Sequence, residues 1–232
     1  MFAAQSLALP ALHARARAAH QRRGLGSARR EQPRSQHRVT APRVDAARAL
    51  ALACEQRFLR RLFALARKLS GESDFVVFGS LAALGYAGEV PARMAMSVDV
   101  DAFGKSDPAR IFNLARDLGQ GSPFEVEHGY YLDPISPRVA ALPDGWEQRL
   151  VRIELEPGLA AWFLEPNDAA VSKYARMEPR DREWIRAGLA ARILSLPILE
   201  ARFPATTFLD EAEAAGARAA LAGDRAWLGQ AP

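Results

Sequence analysis

Apolar residues along this chain fall into short continuous runs separated by stretches of helical spacing. Leu50, Phe58, Leu62 and Leu69 recur among arginines and predict a helix over 45–70, ended by Gly71. The run Phe75-Val76-Val77-Phe78 predicts a buried strand, 81–86 a short helix and 96–103 a second strand. Ser106-Asp107-Pro108 sets a capping residue before a proline, and predicts a helix to about 118 with Ile111, Leu114, Ala115 and Leu118 as its buried stripe. Further strands are predicted over 124–132 and 148–155, the latter from alternation of Leu150, Arg152 and Glu154 with Val151, Ile153 and Leu155. A short last strand falls at 162–164. Asn167 is expected to cap a helix through 177, Pro179 to start another to about 196, and the Ala-rich stretch 209–221 to form a last helix. The expected class is therefore α/β (α+β), a mixed sheet flanked by helices with a helical C-terminal part.

The chemistry concentrates between Phe75 and Phe103. The first apolar strand ends in Gly79-Ser80, and the second carries Ser97-Val98-Asp99-Val100-Asp101. Strand residues two apart point to one face, so Asp99 and Asp101 would present paired carboxylates on a single surface. Like charges held that close favour a cation between them, and hard oxygen ligands favour Mg²⁺ or Mn²⁺ completed by water and phosphate. Gly79-Ser80, between a strand and a helix, supplies backbone N–H groups and a hydroxyl where a phosphate can sit. The alternatives are an exposed strand face paired with arginines for the two aspartates, and an ordinary helix cap for Ser80.

This order, a Gly-Ser turn followed by an Asp-x-Asp strand, resembles the nucleotidyltransferase signature of the polymerase-beta-like superfamily. Gly121-Ser122-Pro123-Phe124, Gly129-Tyr130-Tyr131, the stretch Leu142-Pro143-Asp144-Gly145-Trp146 and the stretch Leu164-Glu165-Pro166-Asn167-Asp168 leading to Lys173 follow in sequence. Together they are similar to a bacterial family of uncharacterised nucleotidyltransferase-like domains related to AbiEii- and MenT-type toxins, over about 75–199. The resemblance implies a minimal nucleotidyltransferase fold, a nucleoside triphosphate substrate and a lysine, Lys173, reaching the nucleotide phosphates from a helix after the sheet. It also matches Arg180-Asp181-Arg182 to a basic-acidic motif in which Asp181 orients Lys173 or binds the second substrate. A plain carboxylate at a helix N-terminus is the other reading of Asp181, and a solvated surface lysine that of Lys173.

Composition bounds the partners. The 232 residues suffice for one domain with a sizeable core, read as a basic tail over 1–44, a core over 45–165 and a helical part of the same domain over 166–232. The formal charge of +4 misleads, because 1–44 holds nine Arg against one Glu, a local +8 that leaves −4 for the rest. That tail, with His13, His20 and His37 and little apolar periodicity, reads as disordered. An RNA-contacting arm, a transit peptide and sequence upstream of a misplaced start all remain open for it. No apolar run approaches the roughly 18 residues of a membrane span, so no membrane partner is expected. Cys54 is the only cysteine, which excludes an intrachain disulfide and a zinc cluster and makes the cytoplasm the default location. His128 is the only histidine outside the tail, which excludes two-histidine sites in the core.

Two-metal chemistry asks for a third carboxylate. Glu154, central in its strand, is the expected candidate, with Glu156 its same-face neighbour; the alternative is pairing with Arg152. Lysine occurs only at Lys68, Lys105 and Lys173 in this Arg-rich chain, so retention of a compact ammonium at 173 favours a specific task. Tyr130, Tyr131 and Trp146 either stack on a base or fill the core, and the core is favoured. The leading expectation is a metal-dependent nucleotidyltransferase whose acceptor is a tRNA end or a protein hydroxyl, acting as a toxin with a cognate antitoxin. The alternative is a catalytically silent nucleotide-binding or interaction module of the same fold.

Overall fold

A computed structural model describes residues 57–230; the tail over 1–44 and the first part of the helix expected over 45–70 lie outside the described residues. The chain opens with α1 (Arg57–Ser70), whose Leu59, Leu62, Phe63 and Ala66 are buried, and turns at Gly71 into β1 (Asp74–Val77). A 3-10 segment, Ser80–Gly85, and the short α2 (Ala92–Ala95) lead to β2 (Asp99–Gly104). After β2 a 3-10 turn, Arg110–Leu114, runs into α3 (Ala115–Leu118), which is how the helix expected from Ser106-Asp107-Pro108 is realised. Asp107 accepts from the N–H groups of Ala109 and Arg110 and starts that turn.

The stretch 124–132, expected as a strand, divides into α4 (Pro123–His128) and β3 (Tyr131–Pro134). Ser122 caps α4 by accepting from the Glu125 N–H, Pro123 fills the first turn, and Gly129, at φ 76°, ends the helix. Those punctuation residues outweigh an apolar count that is one-sided in space: Phe124 is buried and Val126 is 83% exposed.

β4 (Val151–Glu156) and β5 (Leu159–Phe163) form a hairpin, and the five strands lie in the order β3-β2-β1-β5-β4. Pairing is antiparallel for β1 with β2 and β4 with β5, and parallel for β1 with β5 and β2 with β3, so the sheet is mixed. One face buries Phe75, Val77, Ala102, Ala161 and Phe163; the Phe63 ring of α1 stacks on Phe75 at 4.5 Å.

The helical part is α5 (Pro166–Arg176), α6 (Pro179–Ala190), α7 (Leu196–Arg202) and α8 (Glu211–Gly229). Glu165, not Asn167, caps α5 by accepting from the Asn167 and Asp168 N–H groups. The helix expected over 179–196 stops early because Arg192 turns left-handed at φ 58°, and α7 begins after it. Buried ion pairs fasten these helices. Asp224 of α8 accepts from the Tyr174 hydroxyl at 3.1 Å and Arg186 at 2.9 Å, while Asp168 accepts from Arg149 at 2.8 Å and lies 3.0 Å from Arg202. One apolar core runs from Leu59 to Leu221 and joins sheet and helices. Among the described residues no helix is long and apolar enough to cross a membrane.

Candidate functional site

β2 and β3 pair in parallel with Asp99 opposite Tyr131 and Asp101 opposite Asp133. Alternation puts Val100, Ala102 and Leu132 on the buried face, so Asp99, Asp101 and Asp133 share the other face. A carboxylate oxygen from each lies within 4.8 Å of the others. The Ser97 hydroxyl donates to Asp99 and orients it. Burial, then the charges of Asp99 and Asp133, push Asp101 up to about 7; burial and then Asp99 raise Asp133 as well.

Gly79 closes on this cluster. The Phe78 N–H donates to the Asp101 carbonyl at 2.8 Å, carrying the β1–β2 pairing to the edge of the site. The chain then turns at Gly79 with φ 64° and ψ −147°, a conformation in which glycine alone is comfortable. A Cβ there would stand 1.8 Å from Asp101 Oδ2 and 2.9 Å from its Cγ. The glycine is therefore required twice, by the turn and by the carboxylate seated against it.

Facing the acids are the cations of α5. Lys173 Nζ donates to Ser80 Oγ at 3.2 Å and to Asp181 Oδ1 at 3.0 Å, and stands 5.0 Å from the centre of the Trp184 ring. Arg176 donates to both oxygens of Asp181, at 2.8 and 2.7 Å. Asp181 is fully buried and the Lys173 side chain is 4% exposed. Burial lowers Lys173, with Asp181 opposing. Burial alone would raise Asp181, but the hydrogen bonds and charges of Arg176 and Lys173 outweigh it and hold the group below its usual value. Met177, at φ 48°, separates α5 from α6 and lets the start of α6 fold back, so Asp181 meets Lys173. The same break places Asp168 and Asp181 in different helices. The Trp184 indole donates to the carbonyls of Ser80 and Met94, and so ties α6 to the segment after Gly79.

Acids and cations line one cavity of about 380 Å³, which also takes in Phe78, Ile135, Leu164 and Ser172. The volume is in the range of small-ligand sites. Asp99, Asp101, Gly79, Ser80 and Lys173 thus converge, with Asp181 behind the lysine. Glu154 does not join them. It projects from the edge strand β4 with its side chain 54% exposed, 3.9 Å from Arg152, and accepts from the Gly158 N–H. β5 and β1 intervene between its strand and β2. Asp133 occupies the place expected for it; the sequence signal was Tyr131-Leu132-Asp133 just after the Gly129 turn, hidden by reading 124–132 as one strand. Glu156, the neighbour of Glu154, pairs instead with Arg67 at 3.0 Å. Tyr130 and Trp146 pack, the first against Phe58 and Phe124 and the second against Phe78, each at 5.2–5.4 Å between ring centres.

A mixed sheet with three carboxylates at one edge, closed by a glycine turn and faced by helix-borne cations, is the arrangement of a nucleotidyltransferase-like domain. The chain belongs to the family described as "Nucleotidyltransferase of unknown function (DUF6036)", whose model matches residues 57–227. No curated protein and no solved structure matches the chain significantly.

Proposed function

We propose that the protein is a metal-dependent nucleotidyltransferase that moves a nucleoside monophosphate from a nucleoside triphosphate to an acceptor hydroxyl. The observation that carries this reading is the opposition, across one cavity, of Asp99, Asp101 and Asp133 to Lys173 and Arg176. Three oxygen donors within 4.8 Å suit Mg²⁺ or Mn²⁺, and the upward push on Asp101 marks a carboxylate short of positive charge. A bound divalent ion would supply charge neutralisation at the reacting phosphate. Ser97 fixes Asp99 for that task, and Gly79 leaves room for Asp101.

Lys173, held by Asp181 and Ser80, offers its ammonium to the triphosphate, while the Ser80 hydroxyl and the N–H groups after Gly79 supply neutral donors. Asp133, on the outermost strand, would take the proton of the incoming hydroxyl. The acceptor oxygen forms a bond to the α-phosphorus and pyrophosphate leaves. Positioning and charge neutralisation carry the rate, as in phosphoryl transfer generally. Asp133 also favours the enzyme over a silent module, since two-metal chemistry asks for a third carboxylate and Asp133 stands with Asp99 and Asp101.

The acceptor, a tRNA end or a protein hydroxyl, and a toxin role with an antitoxin partner in the cytoplasm rest on the resemblance to AbiEii- and MenT-type toxins. The test offers α-labelled nucleoside triphosphates with total tRNA or with protein acceptors. Label should appear on one acceptor class, and Asp99→Asn with Asp101→Asn should abolish it. Binding of nucleotide with no transfer to any acceptor would replace the enzyme with the silent module.

A further inference from the structure

Three parts of the site are far apart in the sequence: the turn after Gly79, the strand with Asp99 and Asp101, and Lys173 with Asp181 behind it. Trp184 joins them. It follows Asp181 by one helical turn in α6 and is 1% exposed. Its ring stands 5.0 Å from Lys173 Nζ, and its N–H is shared between two carbonyls, Ser80 at 3.1 Å and Met94 at 3.0 Å. Ser80 is thereby held from both ends, the hydroxyl by Lys173 and the carbonyl by Trp184. Met94 belongs to α2, and the Ser97 N–H donates to the Ala95 carbonyl at 3.1 Å, so the chain passes directly from α2 into Ser97 and Asp99.

Further contacts press α2 on α6 at the same place. Arg93 pairs through Nε with Glu183 at 2.7 Å and donates to the Arg180 carbonyl at 3.4 Å. A Cβ at Gly188, one turn after Trp184, would stand 3.0 Å from Met94 Cε, so the two helices approach closely here.

We propose that Trp184, braced by Arg93 and Glu183, is a positioning residue that sets the spacing between the phosphate-facing groups, Ser80 and Lys173, and the carboxylates that take the metal. The assignment rests on the nucleotidyltransferase reading above. A polyphosphate bridged to a metal must meet both sides at once, so a shift of one side against the other forfeits charge-assisted bonds. An ion alone needs only the acids, whose mutual spacing is fixed by the pairing of β2 with β3.

Calorimetry with Mg²⁺ alone, and with inorganic tripolyphosphate in saturating Mg²⁺, tests this below the Tm of each protein. Trp184→Phe keeps a ring beside Lys173 and removes the N–H from both carbonyls. Mg²⁺ alone should bind this variant within about twofold of the unmodified protein, as for independent sites. Tripolyphosphate should weaken by about tenfold or more, the loss expected when one charge-assisted bond is misplaced. A merely structural tryptophan would lower Tm and leave both affinities in place, and that result overturns the proposal. Equal loss of both ligands in the folded variant also overturns it, since the acids would then depend on Trp184 as much as the cations do. Should Trp184→Phe not fold, Glu183→Ala decides, at a side chain 64% exposed. Removing an acid near Lys173 would by charge alone tighten tripolyphosphate, whereas a loosened junction weakens it; tightening or no change overturns the proposal. Failure of tripolyphosphate to bind the unmodified protein in Mg²⁺ would instead refute the nucleotidyltransferase reading itself.

Discussion

Asp101 should make the metal-free protein less stable as pH rises, against the usual trend for carboxylates. Its folded-state value of about 7 stands above its ordinary 3.8, so between those limits the folded protein holds a proton that the unfolded chain has lost. Stability is then fully present below the unfolded value and falls as pH rises through the folded one. The shift corresponds to about 4 kcal/mol in all at 1.36 kcal/mol per unit, of which roughly 2–3 kcal/mol is lost between pH 5 and pH 8. Asp133, raised by burial and by Asp99, adds in the same direction. At about 2–4 °C per kcal/mol for a domain of this size, Asp101 alone accounts for a fall of roughly 5–10 °C in Tm. The assay is thermal unfolding in EDTA at pH 5 and pH 8, for the unmodified protein and for Asp101→Asn, which keeps the shape and removes the charge. The difference between the two pH slopes reports Asp101 together with its coupling to the acids and cations around it. Equal slopes would refute the claim that its carboxylate is electrostatically burdened. Mg²⁺ should raise Tm more at pH 8 than at pH 5, because protons compete with the ion for the same oxygens.

Gly79→Ala should cost about 1–3 kcal/mol from backbone strain alone and should abolish Mg²⁺-dependent nucleotide binding, because the new Cβ would displace Asp101 Oδ2; unfolding and calorimetry on one preparation check both. Lys173→Ala should weaken tripolyphosphate by about tenfold or more, the loss expected for a charge-assisted bond, while the fold persists because Arg176 still meets Asp181. Glu154→Gln should leave binding and transfer within about twofold of the unmodified protein and Tm within about 0.5 kcal/mol equivalent, since the residue sits on an exposed edge strand; a large loss of transfer would return it to the site.

What could be read in the sequence followed the reach of its interactions. The Asp99-x-Asp101 face is fixed by strand alternation within three residues, and Gly79 announces its turn by identity. Asp133 is different. Its place beside Asp101 depends on β3 pairing with β2, a contact between residues 32 positions apart that no local period encodes. Glu154 showed the converse, since alternation gave its face correctly while sheet order put two strands between β4 and β2. Asp181 was named from a motif, but its partners depend on the left-handed turn at Met177, a residue that seldom adopts that conformation. Local punctuation, Ser122-Pro123 and Gly129, holds the information for α4 and prevails over the apolar content of 124–132.

The two sides of the cavity are coupled electrostatically even before a ligand enters. Lys173 and Arg176 both lower Asp101, and Asp101 in turn raises both cations. Anything that neutralises the acids therefore weakens the hold of the acids on the lysine and arginine, leaving the cations freer to meet phosphate. Conversely, a triphosphate brought to Lys173 without a cation would face three carboxylates that already repel one another. Each ligand thus relieves a cost that the other would meet alone, and linkage requires the effect to be reciprocal. Nucleotide should tighten Mg²⁺ by the same factor by which Mg²⁺ tightens nucleotide. Calorimetric titration of each ligand with and without the other closes that thermodynamic cycle, and independent affinities would mean that the acids and the cations serve separate ligands.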